Sequence, residues 1–131
     1  MKYDKVLADT SIWFDFFKKG TSKASKDLSL LIELNLVYIC GIIESEIIQG
    51  LRSNEIEKIL SALDVVNYIE IERTDFKEAG FLLNRLRNSG ITIPLSDAII
   101  ASCAIRNNLK VITFDTHFNY IKPLIKNIYK E

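Results

Sequence analysis

Short apolar runs of strand length recur along this chain, and each is followed by a segment with the period of a helix. Val6 to Ala8 in "KVLAD", Val37 to Cys40 in "VYIC" and Lys110 to Phe114 in "KVITF" are the clearest. Apolar runs with little polar alternation suit strands buried on both faces. "VNYIEI" mixes apolar and polar positions, as an edge strand does. Between these lie helical segments. "TSIWFDFFKK" reads as a helix capped by Thr10 or Ser11, and "DLSLLIELN" follows the polar loop "GTSKASK". "IIESEIIQGLR" is helical, and "SNEIEKILSAL" places Asn54 and Glu57 at capping-box spacing. From Thr74 to Asn88, Phe76, Ala79, Leu83 and Leu86 share one face, with Gly90 as a stop. "SDAIIASCAIRNN" is the last long helix, and after "KVITF" come a short turn or helix and a final "LIKNIY". Strands separated by helices indicate a parallel sheet covered on both faces, an α/β fold built as a three-layer α/β/α sandwich. No repeat, low-complexity tract or linker divides the chain, so residues 1–131 read as one domain.

Composition narrows the function classes. Seventeen basic and seventeen acidic residues cancel, which removes a whole-molecule field for gathering nucleic acid and leaves only local patches. With 48% hydrophobic and 26% charged residues, the chain is globular rather than disordered. Cys40 and Cys103 are far apart among apolar neighbours and lack metal-type spacing, so both read as reduced core thiols. "MKYDKVLADT" has no apolar centre of a signal peptide, and no apolar run approaches the ~20 residues that span a bilayer. A soluble, cytoplasmic protein with no membrane partner is expected.

The acidic residues carry the chemistry. Asp97 opens the apolar "SDAIIASCAI" helix, on the stripe of Ile100, Ala101 and Ala104. A carboxylate in a first turn offsets the helix dipole by about 0.3–1 kcal/mol, but that does not explain its place on the buried side. Asp9 and Asp115 each end an apolar strand, where a helix cap is the plain alternative. In a doubly wound sheet, however, strand C-termini and helix N-termini share one edge, and ligands bind outside it. Three aspartates at three such junctions should meet. A fourth acid comes from "IIESEIIQGLR", where periodicity leaves Glu44 and Glu46 equal; Gly50, one turn after Glu46, leaves room beside it.

Carboxylates that meet need a counter-charge, since two unit charges 4 Å apart repel by ~4 kcal/mol at an effective dielectric near 20. No lysine or arginine adjoins these motifs consistently, so a divalent cation is the natural partner. Oxygen ligands suit Mg²⁺ or Mn²⁺, and without cysteine or histidine clusters zinc is disfavoured. Such a site binds phosphate and activates water, which points to a phosphodiesterase or phosphatase. Ser11, Ser96 and Thr113 are hydroxyls able to support ligands or water, or to serve as caps and strand ends.

"VLADTSIWFDFF", "ESEIIQGL", "LSDAIIASCAI" and "VITFDTHF" resemble, in order and spacing, the motifs of PIN-domain ribonucleases, and among them the VapC-type toxins of toxin–antitoxin pairs. The resemblance runs from Val6 to Phe118 and implies one PIN-like nuclease domain. It implies a mostly parallel sheet between helices and Mg²⁺- or Mn²⁺-dependent endoribonuclease activity. It carries an acidic quartet onto Asp9, Glu46, Asp97 and Asp115, which favours Glu46 over Glu44, with Ser11 and Thr113 as matching hydroxyls. It further implies an RNA substrate, a cognate antitoxin and a homodimer. One position departs: many relatives carry an aspartate where this chain has His117, which removes a fifth acid; His117 reads as an exposed turn residue, with a ligand or proton donor as the alternative. Lys18, Lys19, Lys23, Lys26 and Arg52 would guide phosphates or form a solvated face. Among Trp13, Phe14, Phe16 and Phe17, the last two cannot both face the core of so short a helix. Two alternatives belong to other classes. A receiver-like Mg²⁺-binding signalling domain would need an aspartate after its middle strand, where "VYICG" ends in Cys40 and Gly41. A catalytically silent PIN-fold interaction module would not need the quartet.

Overall fold

The computed structural model describes residues 3–121 and the backbone of residues 125–128. Five strands run β1 (Val6–Ala8), β2 (Val37–Cys40), β3 (Asn67–Ile69), β4 (Lys110–Thr113) and β5 (Ile125–Ile128). They form one sheet in the order β3-β2-β1-β4-β5, and all four neighbouring pairs are parallel. Val6, Leu7 and Ala8 are wholly buried, as the uninterrupted apolar run of a central strand requires. β3 lies at one edge, with Tyr68 exposed and Ile69 buried, which matches its mixed pattern. β5 lies within "LIKNIY"; the remainder of that segment falls outside the described residues.

The helices are α1 (Thr10–Lys18), α2 (Lys23–Glu33), α3 (Gly41–Gly50), α4 (Ile56–Leu63), α5 (Arg73–Asn88) and α6 (Leu95–Arg106). From β1 the chain steps outward to β2 and β3, then jumps back across β1 to β4 and β5. Right-handed crossovers therefore put α1 to α4 on one face and α5 and α6 on the other. The packing agrees: α1 lies against α2 and α3, α5 against α6, and α6 against β4. The result is an α/β/α sandwich whose strand order reverses between β1 and β4. A crevice opens at that reversal, outside the carboxyl ends of the two strands.

Local details correct several expectations. α6 is buried on every side from Asp97 to Ala104, not along one stripe, because it lies between the sheet and α5. α1 begins at Thr10 with Asp9 in the cap position, so neither Thr10 nor Ser11 is its cap. α2 begins inside the expected polar loop. Ser22 caps it by accepting from the Ser25 amide at 3.0 Å, and Asp15 on α1 accepts from the Ser22 and Ser25 hydroxyls. Asn54 and Glu57 form no capping box, since α4 starts only at Ile56; the Arg52 amide instead donates to Glu55 at 2.9 Å. The capping box sits at α5, where Glu72 and Asp75 bond reciprocally.

On α5, Phe76 points outward at 51% exposed, and Asp75 takes the inner face at 2%. Its carboxylate meets the Arg106 guanidinium through two 2.9 Å bonds, a partner that lets a charge face inward. On α1, Phe16 and Phe17 both pack on the core, because Phe16 meets buried Trp13 edge-on and Phe17 stacks on it, with ring centroids 6.0 and 5.7 Å away. Cys40 and Cys103 are buried free thiols, and burial pushes Cys103 up to about 12. Among the described residues, no helix is long and apolar enough to cross a membrane.

Candidate active site

The register of β1 on β4 builds the site. Ala8 pairs with Ile112, and the Asp9 amide donates to the Ile112 carbonyl at 3.0 Å, so Asp9 and Thr113 emerge side by side. Asp9 is buried, and although it occupies the cap position of α1 its side chain makes no cap hydrogen bond. Its Oδ2 accepts instead from Thr113 Oγ1 at 2.8 Å and Ser11 Oγ at 3.2 Å. Each hydroxyl also accepts from the next stretch of chain: Ser11 from the Phe114 amide at 3.2 Å, Thr113 from the Asp115 amide at 2.8 Å. Burial raises the pKa of Asp9, and the Thr113 hydroxyl opposes that rise.

Asp97 enters from the first turn of α6, again without capping it. His117 Nδ1 lies 3.1 Å from Asp97 Oδ2 and 3.0 Å from Asp115 Oδ1, bridging the two carboxylates. Asp115 does cap the short 3₁₀ turn over Thr116–Tyr120, accepting from the His117 amide at 2.8 Å. The cap reading therefore holds for Asp115 and fails for Asp9. Burial pushes the Asp97 carboxyl up to about 6; the His117 hydrogen bond opposes this, and the nearby charges of Asp9 and Asp115 reinforce it. Ligand atoms of Asp97, Asp115 and His117 all lie within 4.8 Å of one another. No lysine or arginine among the described residues forms an ion pair with Asp9, Asp97 or Asp115.

Glu46 stands on α3, half-buried, and accepts from Thr10 Oγ1 at 2.7 Å. It is thereby tied to the residue that follows Asp9. Glu46 and Ser96, the residue before Asp97, line one cavity of about 450 Å³ together with Tyr68 and Glu70. Gly50 does not leave open space beside Glu46. A Cβ there would fall 2.5 Å from Phe14 Cζ, so the missing side chain makes way for a ring.

The structure thus brings Asp9, Asp97 and Asp115 into one electrostatic group, with Glu46 one hydrogen bond from the chain beside Asp9. Ser11 and Thr113 bind Asp9 directly, and Ser96 lies on the cavity wall. His117 departs from the favoured sequence reading and takes a setting closer to the ligand or proton-donor alternative. It is not a lone turn histidine but the bridge between two acids. The available signal was its spacing: an aspartate that caps the amide two residues on turns that residue back over itself.

A parallel α/β sheet carrying clustered carboxylates at its reversal point defines a class of sites that take ligands outside the strand ends. The PIN domain family model matches residues 6–122, and the chain belongs to that family. No curated protein matches the sequence at a significant level. Among solved structures it is similar to VapBC2 of Rickettsia felis bound to a promoter DNA fragment. That match has 26% identity and a TM-score of 0.77, over 95% of this chain and 98% of that one. A toxin–antitoxin complex from Klebsiella pneumoniae matches at 24% identity and TM-score 0.77, over 96% and 99% of the two chains. Mycobacterium tuberculosis VapC20, a toxin that cleaves the sarcin–ricin loop, shares the fold at 14% identity and TM-score 0.64, over 89% and 95%.

Proposed function

We propose that the chain is a divalent-metal-dependent endoribonuclease, a single nuclease domain acting as the toxin of a toxin–antitoxin pair in the cytoplasm. The observation that carries this reading is the meeting of Asp9, Asp97 and Asp115 outside the ends of β1 and β4. The residues fit a cation. Among the described residues, three carboxylates and one imidazole converge with no basic partner but His117, and burial, reinforced by the charges of Asp9 and Asp115, pushes Asp97 up to about 6. Oxygen donors dominate and thiolates are absent, which suits Mg²⁺ or Mn²⁺. Asp97, Asp115 and Asp9 would hold the ion, with Glu46 and His117 beside them. Once bound, it would supply a positive charge for the phosphate and a lowered pKa for water.

The chain's own groups supply position. Thr113 and Ser11 fix the Asp9 carboxylate, so it presents one orientation to whatever binds there. Asp115 is fixed by its cap, and Thr10 holds Glu46 against α1. RNA as substrate is supported by the VapC20 likeness, and a protein antitoxin by the complexes from Rickettsia and Klebsiella. These are analogies of fold, and the acid cluster is the part read from this chain. A homodimer belongs to the same proposal. The receiver alternative gains nothing, since β2 ends in Cys40 and the chain turns into α3 at Gly41 without an acid.

The test is direct. Asp97→Asn should abolish RNA cleavage while circular dichroism stays that of the parent. Chelator should stop the parent enzyme, and Mg²⁺ or Mn²⁺ should restore it. A purified Asp97→Asn protein cutting RNA at the parental rate would overturn the assignment.

A further inference from the structure

Two cavities flank the acid cluster, and their linings differ in charge. The one on the α3 and β3 side carries Glu46 and Glu70. The other, about 530 Å³, carries Lys18 and Lys19 from the end of α1 and the rings of Phe14 and Phe114. Ser11 forms part of its wall and is hydrogen-bonded to Asp9, so this second cavity opens beside the acids. Phe114 directly follows Thr113, the residue that grips Asp9. The two lysines are exposed, and the two rings are half-buried. One acid, Asp15, also lines the cavity. Its carboxylate accepts from the Ser22 and Ser25 hydroxyls, which hold it below the usual carboxylate range and tie it to the start of α2. Asp15 stays ionised and faces Lys19, so the wall carries a net formal charge of one positive.

We propose that this cavity is a nucleotide subsite for single-stranded RNA, in which a base lies against Phe14 and Phe114 while the two adjoining phosphates meet Lys18 and Lys19. The inference rests on the ribonuclease reading and adds where the strand runs and in what form. Flanking acids repel a phosphate backbone on the α3 side, so the polyanion leaves the acid cluster toward α1. Aromatic faces accept a base only when it is free of its duplex partners, which makes the subsite selective for unpaired RNA. The lysines supply the sequence-independent part of the grip.

The experiment measures RNA binding apart from cleavage. In the cleavage-deficient Asp97→Asn protein, anisotropy of a fluorescein-labelled single-stranded oligoribonucleotide is titrated over a range of salt. A Lys18→Ala, Lys19→Ala double variant should lower the slope of log affinity against log salt by about 1.4, roughly 0.7 for each lost phosphate contact on a single strand. Both lysines are exposed, so thermal melts should not change. Phe114→Leu, which keeps an apolar group and removes the ring, should weaken binding by roughly fivefold or more. A blunt RNA duplex should bind more weakly than the single strand and be indifferent to Phe114→Leu. An unchanged salt slope in the double variant, or equal binding of duplex and single strand, overturns the subsite. If RNA cleavage by the parent persists in that case, the ribonuclease reading stands without it; if the parent neither binds nor cuts RNA, both fall.

Discussion

Thr113 shows how one hydroxyl can set a site. It is wholly buried, donates a hydrogen bond to Asp9 and accepts one from the Asp115 amide, so both acids are indexed to a single side chain at the end of β4. Thr113→Val keeps the shape and removes both bonds, leaving a buried carboxylate and an amide short of a partner. The expected cost is about 1–3 kcal/mol, read by urea unfolding, together with loss of RNA cleavage. Asp97 titrates in the opposite sense from a salt-bridged acid. Its carboxyl is raised from 3.8 to about 6, so between those values the native state holds a proton that the unfolded chain has released. Its contribution to stability is fully present below pH ~3.8 and is lost as pH rises through about 6. In chelator, the difference in melting temperature between the parent and Asp97→Asn should therefore move in the variant's favour from pH 4 to pH 7. A difference that is flat with pH would refute the shift.

At the level of elements, α5 and α6 are joined by an ion pair that the apolar pattern did not announce. Arg106, on the last turn of α6, reaches the buried Asp75 carboxylate with two hydrogen bonds and the Glu70 carbonyl with a third. Arg106→Ala takes both guanidinium bonds from that buried carboxylate and leaves it without a counter-charge beside it, and should destabilise the fold by about 3 kcal/mol in denaturant titrations. Arg106 lies nine residues beyond Asp97, about 14 Å along the helix, so the folded variant should still cut RNA. The same pair explains a misreading: a periodicity that scores only apolar residues puts Phe76 inward, when a paired aspartate one position earlier holds that face. Strands were legible because burial on both faces leaves a continuous apolar run. Caps were not, because serine, threonine and aspartate abound at every junction and only partners distant in sequence, such as Asp15 for Ser22 and Ser25, decide which of them closes a helix.

Across the whole molecule, the site is a consequence of topology before it is one of side chains. Three aspartates at the ends of β1 and β4 and the start of α6 meet because the strand order reverses there, which is why their meeting could be argued from the sequence. What the order of elements cannot give is the choice between Glu44 and Glu46, both half-buried on one helix, or the turn that swings His117 back between two acids. A chain with seventeen charges of each sign has no net field to neutralise that cluster, so the correction must be local. A bound divalent cation would do this, and mass action would then link it to folding. Mg²⁺ or Mn²⁺ at a hundredfold over its dissociation constant should add about 2.7 kcal/mol of stability. Because the cation competes with the proton on Asp97, the gain should be larger at pH 7 than at pH 5, and Asp97→Asn should reduce it sharply. Calorimetric melts with and without the ion at the two pH values measure both effects. A melting temperature indifferent to either metal would mean that the acids at the sheet's reversal point hold no cation.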